Sequence, residues 1–218
     1  MLPEFDGMKC DGCKQCVQHC RFHALIYIKE KPMLFREVCH SCGLCSMVCP
    51  HGAITETPNP VGRVEIGTSG DTQVVTGILN PGEASGIPVL QQALHHAQGL
   101  TIIDCPPGSA CPVLESVQSA DFCILVAEPT AFGFHNFRMV WELAGLLKKP
   151  CGVVINKTES PYEPLEQFCK AENLPVLARI PYRRQWAQII SRGGILVREL
   201  PEARELFRNI LEKIGGAL

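Results

Sequence analysis

Residues 10–20 read CDGCKQCVQHC, and residues 39–50 read CHSCGLCSMVCP. Both stretches carry the cysteine spacing C-x2-C-x2-C-x3-C, and the second repeats the first after 29 residues. A loop with this spacing wraps three thiolates around one face of a [4Fe–4S] cluster, while its fourth cysteine is a ligand of the other cluster. The repeat therefore predicts two [4Fe–4S] clusters that exchange their fourth ligands.

The exchange divides the eight cysteines of the repeat into two predicted ligand sets. These sets are Cys10, Cys13, Cys16 and Cys49 for one cluster, and Cys39, Cys42, Cys45 and Cys20 for the other. A zinc site and a disulfide framework are the alternatives. Zinc needs only four ligands per ion, and disulfides are rare in a reducing compartment, so both explain the dense spacing less well.

The composition excludes several classes of protein. The chain has 218 residues, a formal net charge of −2 and 46% hydrophobic residues, which is typical of a globular protein without a basic nucleic-acid-binding face. No apolar run approaches the roughly 18 residues that span a bilayer, and the N-terminus lacks the pattern of a signal peptide. Thirteen cysteines in such a chain indicate a cytoplasmic metal-binding protein.

Residues 8–56 resemble the bacterial two-cluster ferredoxins. The likeness includes Cys49-Pro50 and the following Gly52-Ala53-Ile54, whereas Arg21 stands where a proline is expected after the first motif. We expect a ferredoxin-like domain at residues 1–58, in which ALIYI and PMLF form a small hairpin, and a redox partner protein that exchanges electrons with it.

The sequence after residue 58 has a different rhythm and predicts a second domain at 59–218. Residues 63–79 alternate around a glycine-rich turn, which favours an antiparallel pair of strands. Four apolar runs then alternate with helical stretches: LTIID (100–104), FCILVA (122–127), GVVIN (152–156) and VLARI (176–180). Continuous apolar strands of this kind predict a mostly parallel sheet with flanking helices.

Four stretches of this second part resemble the MinD/Mrp-type P-loop ATPases that carry an inserted ferredoxin module. They are DCPPGSACPVLESV, VAEPTAFGFHNF, VVINK and ARIPY. The resemblance implies that Asp104 assists magnesium and the attacking water, that Asn156 contacts adenine and that the loop near Pro181 flanks the base. Glu128 follows a strand at the edge where such sheets bind ligands, which makes it a further candidate.

The phosphate-binding loop of that family is missing, because no Gly-Lys dipeptide occurs in the chain. The fold is therefore expected to be an incomplete P-loop NTPase-like domain, and ATP hydrolysis is not expected of this chain alone. ATP and magnesium would bind only if another chain supplied the P-loop. Either a partner chain supplies the missing strand, or LTIID and FCILVA pair directly, or a shortened chain folds poorly. The possible partners are a P-loop-bearing chain or a second copy in a homodimer.

The cysteines outside the repeat are expected to have simpler roles. Cys123, Cys151 and Cys169 fall within strand or helix runs and are interpreted as small buried apolar side chains. Cys105 and Cys111 flank the PPGSA loop and could bind metal only if a dimer pooled four thiols. Two functions remain open: an iron–sulfur electron-transfer protein with an ATPase-derived domain, and the larger half of a split redox ATPase in iron–sulfur or metallocofactor assembly.

Overall fold

A computed structural model describes residues 1–216. The chain forms two compact units, the first covering residues 1–101 and the second beginning at Ile102. Residues 59–101, which the sequence pattern grouped with the α/β part, lie in the first unit. The last two residues of the predicted domain 59–218 lie outside the described part of the chain.

The first unit is built from short strands and helices. Its strands are β1 (Leu2–Phe5), β2 (Leu25–Ile28), β3 (Lys31–Leu34), β4 (Ile54–Thr57), β5 (Gly62–Ser69) and β6 (Thr72–Leu79). Its α-helices are α1 (Gln15–His19), α2 (Leu44–Met47) and α3 (Ile87–Leu94), and a 3₁₀ helix spans Arg36–Val38.

The strands of the cysteine repeat follow the same 29-residue offset as the cysteines. The antiparallel pairs are β1 with β4 and β2 with β3, so the first strand of one half pairs with the second strand of the other half. The amide of Asp6 donates to the carbonyl of Ala53 at 2.8 Å, and the equivalent amide of Phe35 donates to the carbonyl of Ala24, also at 2.8 Å. The two halves are thus related by an approximate twofold axis and exchange strands.

The predicted antiparallel pair after residue 58 is present as β5 and β6, which are in register from Gly62 opposite Leu79 to Ser69 opposite Thr72. Helix α3 packs on this hairpin through its one buried residue, Val89. A Cβ atom at Gly77 would lie only 2.8 Å from Val89 Cγ1, so the glycine allows the close approach of helix and strand.

The second unit contains a three-stranded parallel sheet in the order β7-β8-β9. The strands are β7 (Cys123–Ala127), β8 (Cys151–Thr158) and β9 (Val176–Pro181). The helices are α4 (Cys111–Gln118), α5 (Ala131–Leu146), α6 (Glu163–Ala171), α7 (Arg184–Ser191), α8 (Leu196–Glu199) and α9 (Pro201–Gly215). The parallel α/β arrangement expected for FCILVA, GVVIN and VLARI is therefore confirmed.

The core of the second unit lies between the sheet and its helices. Val153 and Ile155 of β8 pack with Phe137 of α5 and Leu165 of α6. Helix α5 begins directly after Thr130, whose hydroxyl accepts a hydrogen bond from the Gly133 amide at 3.0 Å and caps the helix.

The prediction of a strand at LTIID (100–104) is wrong, and so is its direct pairing with FCILVA. These residues form no regular structure, and Leu100 and Ile102 are 86% and 79% exposed. A strand needs a hydrogen-bonded neighbour, but within residues 1–216 β7 pairs with β8 alone. Pro106 and Pro107, which lack amide protons, follow directly and further disfavour a strand. Asp104 therefore does not stand at the end of a sheet strand.

Across residues 1–216, no helix has the length and apolar character needed to cross a membrane.

Candidate iron–sulfur site

Each half of the repeat folds its cysteine loop in the same way. The third cysteine lies on a short helix, Cys16 on α1 and Cys45 on α2, and the fourth follows that helix. Three equivalent pairs of positions adopt left-handed backbone conformations with positive φ: Gly12 and Ser41, Lys14 and Gly43, and His23 and Gly52. These reversals turn the chain tightly enough to bring sulfur atoms toward a common centre.

The cysteines line two separate cavities. The first cavity is lined by Cys10, Cys13, Cys16 and Cys49. The second cavity is lined by Cys20, Cys39, Cys42 and Cys45. Each cavity thus receives three cysteines from one half of the repeat and the fourth from the other half, the same two groups that the spacing predicts.

The donor set of each cavity suits an iron–sulfur cluster. Four thiols are the usual ligands of a [4Fe–4S] cluster, and each of them binds a different iron atom. Among residues 1–216 no group of three or more histidine, cysteine, aspartate or glutamate side chains is arranged to hold a single metal ion. Four thiols spread around a cavity fit a cluster, which does not require its sulfur ligands to converge on one point.

Burial changes the acidity of two of these thiols. Removal from water raises the pKa of Cys16 and raises the pKa of Cys45 to about 11. A thiol must lose its proton to become an iron ligand, so cluster binding at these positions releases protons.

Backbone amides point at the fourth cysteine of each set. The amide of Ala24 donates to Cys20 Sγ at 3.3 Å, and the amide of Ala53 donates to Cys49 Sγ at 3.3 Å. N–H···S hydrogen bonds to a thiolate ligand stabilise negative charge on its sulfur. They are one of the means by which a protein sets the reduction potential of an iron–sulfur cluster.

Side chains outside the cysteines also line the cavities and were missed by sequence reasoning. Asp11 and His51 line the first cavity, and His51 Nε2 lies 2.9 Å from Asp11 Oδ2. The Cys13 backbone amide donates to Asp11 and, with His51, holds the pKa of the Asp11 carboxyl below its ordinary value. At the second cavity Phe22 stacks on His40 with ring centroids 3.9 Å apart. A signal was available, because all four residues are sequence neighbours of repeat cysteines.

Glu56 is a further residue of the second cavity. Its carboxylate Oε1 accepts a hydrogen bond from Ser46 Oγ at 2.8 Å. A Cβ atom at Gly43 would approach the same oxygen to 3.1 Å, so glycine leaves room for the carboxylate as well as for the left-handed turn.

Three of the predicted nucleotide-site residues lie at the carboxyl end of the parallel sheet. Glu128 follows β7, Asn156 lies in β8 and Pro181 ends β9. The Glu128 carboxylate is paired with Lys157, whose Nζ lies 2.6 Å from Glu128 Oε1, and Asn156 Oδ1 accepts the Lys157 amide at 3.0 Å. Asp104 lies on an exposed segment without strand structure and is not brought to this sheet by a strand.

The cysteines outside the repeat fall into two kinds. Cys123 and Cys169 are buried in the core of the second unit, and the partly buried Cys151 packs against that core. Cys105 and Cys111 are exposed. The interpretation of the first group as small apolar core residues agrees with their burial.

A family model described as a 4Fe-4S dicluster domain matches residues 9–54. An uncharacterized protein of Methanocaldococcus jannaschii is 22% identical over 171 residues, 71% of this chain and 62% of that protein. A second uncharacterized protein of the same organism is 31% identical over 152 residues, 68% of this chain and 53% of that protein. The adenylylsulfate reductase subunit beta of Megalodesulfovibrio gigas is 38% identical over 66 residues, 26% of this chain and 40% of that subunit.

The chain thus spans 62% and 53% of the length of the two archaeal relatives that it matches. The match to the cluster-domain family covers the segment that carries both cysteine motifs. Together with the thiol-lined cavities, this match identifies the chain as an iron–sulfur protein with a ferredoxin-type 4Fe–4S domain at residues 9–54.

Proposed function

We propose that the protein binds two [4Fe–4S] clusters, one in each cavity, and transfers electrons between redox partner proteins. The single observation that carries this proposal is the presence of two cavities, each lined by four cysteines drawn from both halves of the repeat. A cytoplasmic location belongs to the same proposal, because thiols stay reduced in that compartment.

A [4Fe–4S] cluster supplies reversible one-electron transfer when it is bound. The chain's own residues supply the ligands, the hydrogen bonds and the surroundings. The cysteines hold the sulfur ligand positions, and the amides of Ala24 and Ala53 stabilise charge on the fourth cysteine of each set. Buried Ala24, Leu25, Ala53 and Ile54 pack beneath the loops and keep water from that side.

Anaerobic purification followed by iron and sulfide analysis tests the proposal. We expect about eight irons per chain and cubane-type EPR signals after reduction, since each set of four thiols suits one four-iron cluster. One bound zinc per cavity, or a content of about four irons in an otherwise folded chain, would contradict the two-cluster proposal.

A second candidate function is favoured by the edge of the parallel sheet. Among residues 1–216 the outer edge of β7 has no partner strand, and Val126 on that strand is 61% exposed. An unpaired, apolar edge strand favours addition of another strand. In this alternative the chain is the larger half of a redox-linked ATPase in iron–sulfur or metallocofactor assembly, and a P-loop-bearing chain supplies the missing strand and the phosphate site.

Measurements of ATP binding and hydrolysis, made on the chain alone and together with any P-loop-bearing chain that co-purifies with it, distinguish the two functions. The chain alone should show no measurable hydrolysis and at most weak binding at Asn156, because phosphoryl transfer depends on a phosphate-binding loop and its lysine. Steady hydrolysis by the pure chain, abolished by Asp104→Ala, would mean that a phosphate site lies elsewhere in this chain. A P-loop-bearing chain that co-purifies with it and restores hydrolysis would support the second function.

A further inference from the structure

Two cysteines of the second unit lie side by side on adjacent strands of the parallel sheet. Cys123 is the first residue of β7, Cys151 is the first residue of β8, and the two are register partners. Both belong to the sheet face that packs against the core of this unit. Neither cysteine is part of the repeat or of the two thiol-lined cavities.

The spacing of these two residues suits a disulfide. Neighbouring strands in a sheet lie about 4.8 Å apart. Disulfides form between residues whose Cα atoms are about 4.4–6.8 Å apart and whose side chains point to the same side. As register partners on one face of adjacent strands, Cys123 and Cys151 meet both conditions.

The surroundings of the two thiols make their acidities unequal. The neighbouring Cys151 thiol, together with the positive charge of Lys149, lowers the pKa of Cys123 to about 7. The Cys151 thiol donates to the Lys149 carbonyl at 3.3 Å, and the neighbouring Cys123 raises the pKa of Cys151, so Cys151 holds its proton. A thiolate beside a protonated thiol is the arrangement in which one cysteine attacks an electrophile and the other completes the exchange.

We propose that Cys123 and Cys151 form a reversible dithiol–disulfide site, a two-electron redox centre in the second unit that is separate from the iron–sulfur domain. Its oxidant is a small-molecule disulfide. The Cys123 thiolate attacks one sulfur of that disulfide, forms a mixed disulfide and releases one thiolate. Cys151 then loses its proton and attacks the Cys123 sulfur, which forms the protein disulfide and releases the second thiolate.

The exchange balances. The two cysteines together lose two electrons and two protons, and the two thiols released from the small-molecule disulfide take up these electrons and protons. Access to Cys123 requires local opening, since this residue is buried. Strand β7 is an edge strand within residues 1–216, and edge elements open more readily than central ones. Cys151, the resolving cysteine, is partly exposed.

The test uses the full, cluster-loaded chain under anaerobic conditions, equilibrated with reduced and oxidised glutathione at a series of ratios. Free thiols are trapped with N-ethylmaleimide, and the chain is cleaved after its acidic residues. Asp121 and Glu128 bracket Cys123, while Asp104 and Glu115 bracket Cys105 and Cys111, so the peptide that holds Cys123 is distinct from the one that holds Cys105 and Cys111. Mass spectrometry then identifies linked and alkylated peptides.

We expect the Cys123 and Cys151 peptides to become linked as the oxidised fraction rises, with loss of alkylation at both positions. Cys169 is the matched control, because it is buried in the same core and should remain alkylated throughout. Cys151→Ser should stop the reaction at a glutathione adduct on Cys123. Full alkylation of Cys123 and Cys151 at every ratio, or linkage of Cys123 to Cys105 instead, would overturn the proposal, and both outcomes are read on the wild-type chain.

Discussion

Asp11 and His51 meet at the first cavity, where Asp11 Oδ2 lies 2.9 Å from His51 Nε2. Asp11 belongs to the first cysteine motif, and His51 follows the fourth cysteine of the second motif. The equivalent positions after the 29-residue offset are His40 and Phe22, which stack at the second cavity instead. Both contacts therefore join the two halves of the repeat, one through polar groups and the other through aromatic rings.

Removal of the polar contact should loosen the first cavity alone. We expect Asp11→Asn to accelerate iron release from the first ligand set, on the order of two- to fivefold, because an exposed hydrogen-bonded contact contributes only modestly. The measurement is the rate of iron transfer to a chelator, resolved by the EPR signals of the two clusters.

The aromatic contact provides the matched control. Phe22→Ala should accelerate iron release from the second ligand set and leave release from the first set unchanged, since the stacked rings lie at the second cavity. If both substitutions weaken both clusters equally, the two contacts do not act locally.

The exchange of fourth ligands can be tested directly. Cys49→Ser should disrupt the cluster whose other ligands are Cys10, Cys13 and Cys16, because Cys49 lines that cavity. The iron content should fall by about half, and the signal of the other cluster should persist. Cys20→Ser should have the converse effect, and Cys169→Ser should leave both signals unchanged. Loss of the second cluster alone in Cys49→Ser would contradict the assignment.

The ion pair at the end of the parallel sheet predicts a pH dependence. The Glu128 carboxylate raises the pKa of Lys157 above its ordinary value of 10.5. A raised lysine pKa contributes stability that is fully present below pH 10.5 and is lost as the pH rises through the pKa of the folded state. Glu128→Gln should therefore destabilise the protein near neutral pH and not at strongly alkaline pH.

The lysine itself gives a second readout. After reductive methylation with ¹³C-formaldehyde, the Lys157 resonance should titrate at higher pH in the wild-type protein than in Glu128→Gln. Identical titration midpoints in the two proteins would show that the 2.6 Å contact does not persist in solution.

The core of the second unit predicts a stability difference between two leucines. Leu165 is fully buried, whereas Leu146 is 81% exposed. Leu165→Ala should lower the free energy of unfolding by about 2–5 kcal/mol through loss of packing and formation of a cavity. Leu146→Ala should change this free energy by no more than about 0.5 kcal/mol.

Urea denaturation followed by tryptophan fluorescence measures this difference in the second unit, because both tryptophans of the chain, Trp141 and Trp186, lie there. Equal midpoints for the two variants would mean that α6 is not packed on the sheet as described.

The cysteine repeat could be predicted from the sequence because its chemistry is local. Spacing fixes which sulfur atoms a loop can bring together, and the two cavities group the cysteines as that spacing indicates. The strands β7, β8 and β9 were equally visible, since buried parallel strands read as unbroken apolar runs. The start of α5 is set differently, because the cap at Thr130 depends on one hydroxyl rather than on a periodic pattern.

The structure of the segment at 100–104 could not be predicted from the sequence. LTIID has the composition of a strand, yet a strand exists only if another strand accepts its hydrogen bonds, and no local pattern reveals whether that neighbour is present. The pairing of Cys123 with Cys151 was also not predictable from the sequence, because it joins residues far apart in the chain.

The exchange of strands and fourth cysteines has a consequence for how the iron–sulfur domain matures. Neither half of the repeat supplies all four cysteines of a cavity, so half of the domain does not form a complete site. The loop that contributes three cysteines to one cavity also contributes the fourth cysteine of the other cavity. Occupation of one cavity therefore orders part of the other in advance and lowers the conformational entropy cost of filling it. Cluster insertion should be cooperative, with few chains that hold a single cluster.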